Sequence, residues 1–478
     1  METQTIEQKE SHHHEIVRGG VSAFTTRLIG MGLNYVFAIL VARGYGAAGS
    51  GIYSLSQSVL NFFGSIGKLG SDTLMTRFTA QYVPQGKWGW IKDLYNKSMF
   101  VSLPVSIALT ILVYFLSPWI ATAIFTKPEM TNYFRLSSIG IIPITVFAIS
   151  NGGLRGLKKI NEYTFLQNAS YYVFGIIIIT AFLLFTKTLY APVITLILFV
   201  TITSALSVYW WVKYSKYRTT KVESGLAFNE KFWIGVSLFV ASFASLIRGY
   251  TDTFILGRYA TIEEVGIYRN AFRIATIARI ALTAILVPAA PKFAELFSQG
   301  KMKELGKSAQ FATKIIFWTS APILIVIMCF PKLIMSVFGQ KFTEGAVPLM
   351  ILAFGQFINA ATGPVSNILT MTGKQRLNRD LMVSATILAI ILDLIFIPKY
   401  GALAAACVNT LGVIIMNLVP MFLIKKYYGF YTLDFKDLFN IHPKTFVKDL
   451  KKAVRREKKK KGGGESSSNA VDETQNTE

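Results

Sequence analysis

The segment Val41–Tyr53, VARGYGAAGSGIY, returns in the second half of the chain as Leu256–Tyr268, LGRYATIEEVGIY. Ala42-Arg43 ahead of Gly51-Ile52-Tyr53 matches Gly257-Arg258 ahead of Gly266-Ile267-Tyr268. Further matches keep the order. Gln85-Gly86-Lys87 recurs as Gln299-Gly300-Lys301, and Ile124-Phe125 as Val337-Phe338. Gly156 and Asn161 recur as Gly373 and Asn378, and Leu189-Tyr190-Ala191 as Lys399-Tyr400-Gly401. The offsets all fall between roughly 210 and 217 positions. A single shared tripeptide is chance, whereas ordered matches in one register mark an internal duplication.

The medium of the duplicated unit follows from composition. Of 478 residues, 52% are hydrophobic and 16% charged, with a mean hydropathy of +0.44; soluble domains carry about 25% charged residues. Stretches such as Val101–Leu116, Tyr171–Phe185 and Ile387–Ile397 are nearly free of charge. With their flanks they reach the roughly 20 residues that cross a bilayer core. The expected spans are 20–42, 53–76, 98–125, 132–153, 163–185, 190–212, 232–257, 265–291, 311–338, 346–371, 380–397 and 402–424.

Loop charge alternates along these spans. One set of connections holds Arg77, Lys87, Lys92 and Lys97; Arg155, Lys158 and Lys159; Lys213, Lys216, Arg218, Lys221 and Lys231. It continues with Lys292, Lys301, Lys303 and Lys307, then Lys374, Arg376 and Arg379. The alternate connections hold only Arg43; Lys127 and Arg135; Lys187; Arg258; Lys341; and Lys399. By the positive-inside rule both termini are cytoplasmic and the helix count is even. The expected fold is therefore an all-α polytopic membrane protein of about twelve transmembrane helices. Each repeat has six helices, so both enter from the same side as two parallel lobes, which in transporters enclose a substrate cavity. The division expected is a cytoplasmic tail 1–18, an N-lobe 19–214, a linker 215–231, a C-lobe 232–428, a basic amphipathic segment 429–461 and a disordered tail 462–478.

Orientation also explains the net charge of +23, and no nucleic-acid partner is implied. The first eighteen residues lack the apolar run of a secretory leader. His12, His13 and His14 have no companion that closes a metal site. Cys329 and Cys407 lie in apolar spans, where a thiol acts as a small hydrophobe. No loop carries a His/Asp/Glu cluster, a Ser/His/Asp set or a phosphate-cradling glycine loop, so neither an enzyme nor a cofactor is expected. Polybasic Lys448–Lys461 is suited to anionic headgroups, and its alternating stretch from Leu433 to an interfacial helix broken near Pro443.

Charges at bilayer depth mark function, because each is costly unless it faces a cavity or a partner. Lys68 with Asp72, and Arg248 with Asp252, are spaced for intrahelical ion pairs. Arg269 and Arg273 share one helix face with no acid nearby, and Asn270 lies beside them; two guanidiniums placed so make sense around an anion. Arg279 lies about 80° round that helix, at roughly 100° per residue. Arg27 lies two turns inside the first span near Asn34, again with no acid. Asp393 is the only acid of its span. An arginine-rich cavity suits phosphate or diphosphate; a cavity for cations or for ion coupling would offer carboxylates.

Leu40-Val41-Ala42-Arg43, Gly49, Gly51-Ile52-Tyr53, Gly67, Gly70 and Arg77 resemble the helix 1–2 region of polysaccharide transporters. These are the O-antigen-type oligosaccharide flippases of the multidrug/oligosaccharidyl-lipid/polysaccharide exporter superfamily. The resemblance implies a V-shaped two-lobe transporter, moving a polyprenyl-(di)phosphate-linked glycan from the cytoplasmic to the outer leaflet of the cell membrane as a monomer. It also implies that Arg27, Arg248, Arg269 and Arg273 hold the diphosphate. Helix 2 departs from the pattern, offering only Lys68. An ion-coupled multidrug or metabolite antiporter of the same superfamily is the alternative.

Overall fold

The computed structural model describes residues 2–223 and 228–434, with side chains from Thr25 onward except at positions within 228–248 and 281–288. Among the described residues the chain is helical throughout, without a strand. The elements are α1 (Glu2–Gly67), α2 (Ser71–Tyr82), α3 (Trp88–Trp119), α4 (Thr131–Ser138), α5 (Ile141–Gly156), α6 (Ile160–Phe165), α7 (Tyr171–Phe185) and α8 (Ala191–Tyr214). The second half contributes α9 (Phe228–Tyr259), α10 (Ile262–Ala275), α11 (Arg279–Ser298), α12 (Met302–Cys329), α13 (Pro331–Ser336), α14 (Ala346–Thr362), α15 (Val365–Met371) and α16 (Gln375–Tyr428). The basic segment and acidic tail read from the sequence lie, from residue 435 onward, outside the described residues.

Seven helices are long and apolar enough to cross a membrane, or eight if the pair Pro128–Ser138 and Ile141–Gly156, bent by 41°, is one span. The chain is a multi-pass membrane protein. Two of the seven are too long for one crossing: Thr25–Gly67 has 43 residues and Gln375–Tyr428 has 54, against the roughly 20 that a bilayer core requires. Each contains a glycine with positive φ, 69° at Gly46 and 54° at Gly401. That backbone geometry is open to glycine and strained for other residues, so both elements turn where the sequence places loops. The new helical start after Gly401 is capped from a neighbour, as Glu264 Oε1 of α10 accepts the Ala402 N–H at 2.6 Å. A carboxylate there complements the positive helix end.

Several expected spans are broken rather than continuous. The span 53–76 breaks between α1 and α2, where Leu69 and Gly70 have φ of 48° and 76°. The span 265–291 passes through a 3₁₀ turn at Thr276–Ala278. The span 346–371 breaks at Gly363 and Pro364, since proline supplies no N–H to continue the ladder. Membrane proteins tolerate such breaks where neighbouring helices satisfy the freed backbone groups.

The main core joins both halves of the chain: Phe37, Tyr53, Leu55 and Phe199 belong to one buried cluster with Leu256, Tyr268, Leu349 and Ala405. Phe100, Phe115, Leu184, Phe185 and Ile387 are exposed, as residues facing lipid should be. Between the halves α1 packs on α10 through the repeat motif itself. A Cβ placed on Gly266 would lie 2.7 Å from Gly51 N, and one on Gly51 would collide with the Ile262 backbone. Small residues let helix backbones approach closely in a medium that offers no hydrophobic drive. The duplicated Gly-Ile-Tyr is thus a backbone-to-backbone crossing of the two repeats.

Beyond α16 the chain turns back onto the second half. Thr432 is buried and its Oγ1 donates to Thr362 O at 2.7 Å. A Cβ on Gly306 would meet Phe430 at 3.0 Å.

Replacing Gly266 by Val should destabilise the protein by about 1–3 kcal/mol through overpacking against backbone that cannot yield. Gly32, with nothing within 4 Å of its Cβ position, should accept Ala at a gain of about 0.5–1 kcal/mol. Thermal unfolding of the detergent-purified variants measures the contrast.

Candidate substrate cavity

The helix break after α10 decides how the arginines are distributed. Arg269 and Arg273, one turn apart on α10, lie close enough to repel each other. Arg273 Nη1 donates to Asn270 Oδ1 at 2.8 Å, while buried Asn270 donates to Gly266 O at 3.0 Å. The Arg273 guanidinium opens on a small space walled by Phe37, Ser50, Tyr53 and Ser54. Arg269 Nη1 donates to Thr253 Oγ1 at 3.3 Å and reaches Tyr250, Tyr268 and Asp252 electrostatically. The 3₁₀ turn then carries Arg279 away from this face, and it faces Arg27 of α1 instead. Two arginine pairs result, and among the described residues none of the four is in an ion pair. Asn34, on the same helix as Arg27, has a buried Oδ1 with no hydrogen-bond partner.

Of the two expected pairings, one forms across a helix break and the other falls on a side chain outside the described residues. Lys68 Nζ does meet Asp72 Oδ2, at 2.7 Å, but the pair straddles the break between α1 and α2 rather than lying on one helix turn. Arg248 lies in α9 with its side chain outside the described residues, and Asp252 has other partners. Its Oδ2 accepts from Asn409 Nδ2 at 2.7 Å and from the Tyr268 hydroxyl at 3.1 Å. Asp393 of α16 is fully buried, and its oxygens meet no donor; the group that faces them is the Asp252 carboxyl. Sequence spacing could not reveal this contact, because it joins α9 to α16 through tertiary packing.

The lysine-poor end is sealed by reciprocal contacts between repeat-equivalent residues. Arg43 Nε donates to Val337 O at 2.8 Å. Its counterpart Arg258 donates through Nη1 to Ile124 O at 3.0 Å and to Ala123 O. Each arginine therefore caps free carbonyls at the end of a helix in the other half, where the helix dipole favours a cation. Lys127 adds a buried ammonium that donates to Gly257 O at 2.6 Å. Desolvation lowers the Lys127 pKa, opposed by the nearby Glu129 and Glu264. Toward the lysine-rich end a cavity of about 490 Å³ opens in the first half, lined by α1, α2, α5 and the turn after α6.

The architecture is that of known transporters. A multidrug-resistance MATE transporter of the MOP superfamily, in its inward-facing conformation, matches with a TM-score of 0.69 at 14% identity, covering 86% of this chain and 98% of that one. The lipid II flippase MurJ, inward closed, matches with a TM-score of 0.66 at 17% identity over 90% and 91% of the two chains. By sequence, the polysaccharide biosynthesis protein family matches residues 16–297, and the MatE family matches 237–395. The chain belongs to the polysaccharide biosynthesis protein family. An uncharacterised membrane protein of Methanocaldococcus jannaschii is 23% identical, covering 92% of this chain and 91% of its own. A probable low-salt glycan biosynthesis flippase of Haloferax volcanii is 20% identical over 83% and 81%. The activities named among these proteins are those of transporters and flippases, not of enzymes.

Removing the seal should expose the cavity from the lysine-poor side. In a C329S/C407S background with a single cysteine at buried Ser54, R43A/R258A should raise labelling by a membrane-impermeant maleimide severalfold. Unchanged labelling would show that the carbonyl caps do not hold this end shut.

Proposed function

We propose that the protein is a flippase that moves a polyprenyl-(di)phosphate-linked oligosaccharide from the cytoplasmic to the outer leaflet by alternating access. The observation that carries this reading is the set of two arginine pairs, Arg269 with Arg273 and Arg27 with Arg279, within the apolar helices and without an ion pair among the described residues. Guanidiniums bind phosphate oxygens bidentately and stay charged when buried, so a diphosphate is the ligand that balances them. Arg248, Asn34 and Asn270 complete the set read from the sequence, with Lys68 and Asp72 at its lysine-rich margin. The Haloferax relative, described as a probable glycan biosynthesis flippase, supports the same class of cargo.

In this reading, α1 and α16 count as two helices each. Taking the second arm of α1 with α2, α4 with α5, α6 with α7, α10 with α11 and α14 with α15 as single spans, and the short α13 as a connection, gives twelve in two parallel lobes, 19–214 and 232–428, joined by the linker 215–231. The lysine-rich loops and both termini are cytoplasmic, and the lipid carrier leaves the site laterally into the bilayer of the cell membrane. The basic segment from 429 to 461 rests on anionic headgroups, the tail 462–478 is disordered, and the transporter acts as a monomer.

One observation favours the second reading, an ion-coupled multidrug or metabolite antiporter. The facing carboxyls of Asp252 and Asp393 form a site that takes up a proton or small cation, since like charges in contact cannot both stay ionised. The two readings differ in cargo rather than in machinery.

Arg273→Ala or Arg27→Ala should each abolish export of lipid-linked glycan in a complementation assay while membrane insertion stays intact. Export at the wild-type level in both variants would remove these arginines from the mechanism. Retained efflux of organic cations alongside lost glycan export would separate the two cargoes.

A further inference from the structure

The 490 Å³ cavity of the first half is lined by groups for which anchoring a diphosphate gives no role. Asn151 of α5 is 2% exposed; its Nδ2 donates to Gln167 Oε1 at 3.0 Å, and its Oδ1 has no hydrogen-bond partner. A buried amide oxygen left unsatisfied is costly unless a ligand completes it. Gln167 sits in the π-helical turn Leu166–Ser170, a local irregularity frequent at functional sites, and lines the same cavity. Asn61 also lines the cavity and interacts with Tyr250, the tyrosine within electrostatic reach of Arg269. The cavity is thereby continuous in chemistry with the arginine site.

Its charge is distinctive as well. Lys68 is neutralised by Asp72 at 2.7 Å, which leaves Arg77 and Arg155 without a carboxylate partner among the described residues. Arg155, exposed at the cavity mouth, lies over the Tyr163 ring with its guanidinium carbon 5.5 Å from the ring centre, a cation–π contact. Amide donors and acceptors beside a held guanidinium are the groups that recognise hydroxyls, an acetamido group and one carboxylate together.

We propose that this cavity is the glycan subsite, in which Arg155 selects a carboxylate-bearing sugar at the lipid-proximal end of the cargo while Asn151 Oδ1 and Gln167 take up sugar hydroxyls. The inference rests on the flippase reading above. The lipid diphosphate lies at the arginine pairs, and the first sugars extend past Asn61 toward the lysine-rich end.

The test is binding of three synthetic ligands to the purified full-length protein in nanodiscs: polyprenyl diphosphate alone, the same lipid carrying a neutral hexose disaccharide, and one carrying a uronate in its place. The wild type should prefer the uronate over the neutral glycan by about tenfold, the scale of one charge-assisted hydrogen bond. R155Q should erase that preference and N151L should weaken the uronate and neutral glycans alike, both holding the affinity for the glycan-free lipid, and R155K should restore part of the preference. R273Q should weaken all three ligands alike, which reports separately on the flippase reading. Equal wild-type affinity for the uronate and neutral glycans would overturn the subsite, as would an undiminished preference in R155Q or undiminished affinity for both glycans in N151L. If R273Q alone leaves every affinity unchanged, the diphosphate site is wrong while the sugar preference still decides the subsite.

Discussion

The close crossing of Gly51 and Gly266 is the contact on which the rest of the arrangement depends. It lets the backbones of α1 and α10 touch where the two copies of the repeated segment meet. A side chain at either position would drive the halves apart, and with them the contacts that flank the crossing. Arg43 and Arg258 reach the opposing helix ends only because the halves are this near. The same approach sets Tyr35 of α1 against α10, its hydroxyl donating to Arg273 O at 2.7 Å. The crossing thus positions the arginine face as well as the seal.

Much of this was legible in the sequence because a bilayer imposes simple rules. Apolar length and loop charge gave the helices, and the matched segments at Val41–Tyr53 and Leu256–Tyr268 gave the duplication. Gly46 and Gly401 fall between expected spans, as turns should. The interruptions at Leu69–Gly70, Thr276–Ala278 and Gly363–Pro364 were not legible in the same way. An apolar run reads the same whether its ladder is continuous or broken, and only the packing around it decides.

Among the charged residues, local spacing succeeded where the partner was local. Lys68 and Asp72 pair as their spacing suggests, although across a break. The Arg248 side chain lies outside the described residues, and the described partners of Asp252, namely Tyr268, Asn409, Arg269 and Asp393, come from other helices. Asn151, Gln167 and Asn61 are set apart by the cavity they share, which only tertiary packing creates. The facing of Arg27 and Arg279 likewise needed the 3₁₀ turn that rotates one helix against the next.

These features combine into one physical picture: arginines without an ion pair among the described residues, gathered between two halves that meet at the lysine-poor end. A cargo must bring the missing negative charge and an apolar tail that the bilayer accepts. The most direct measurement is a native mass spectrum of the protein purified in mild detergent with whatever lipid accompanies it. A bound polyprenyl phosphate or diphosphate carrying a glycan is the result expected. Phospholipid alone at every charge state, or a cationic amphiphile in the cavity, would contradict it.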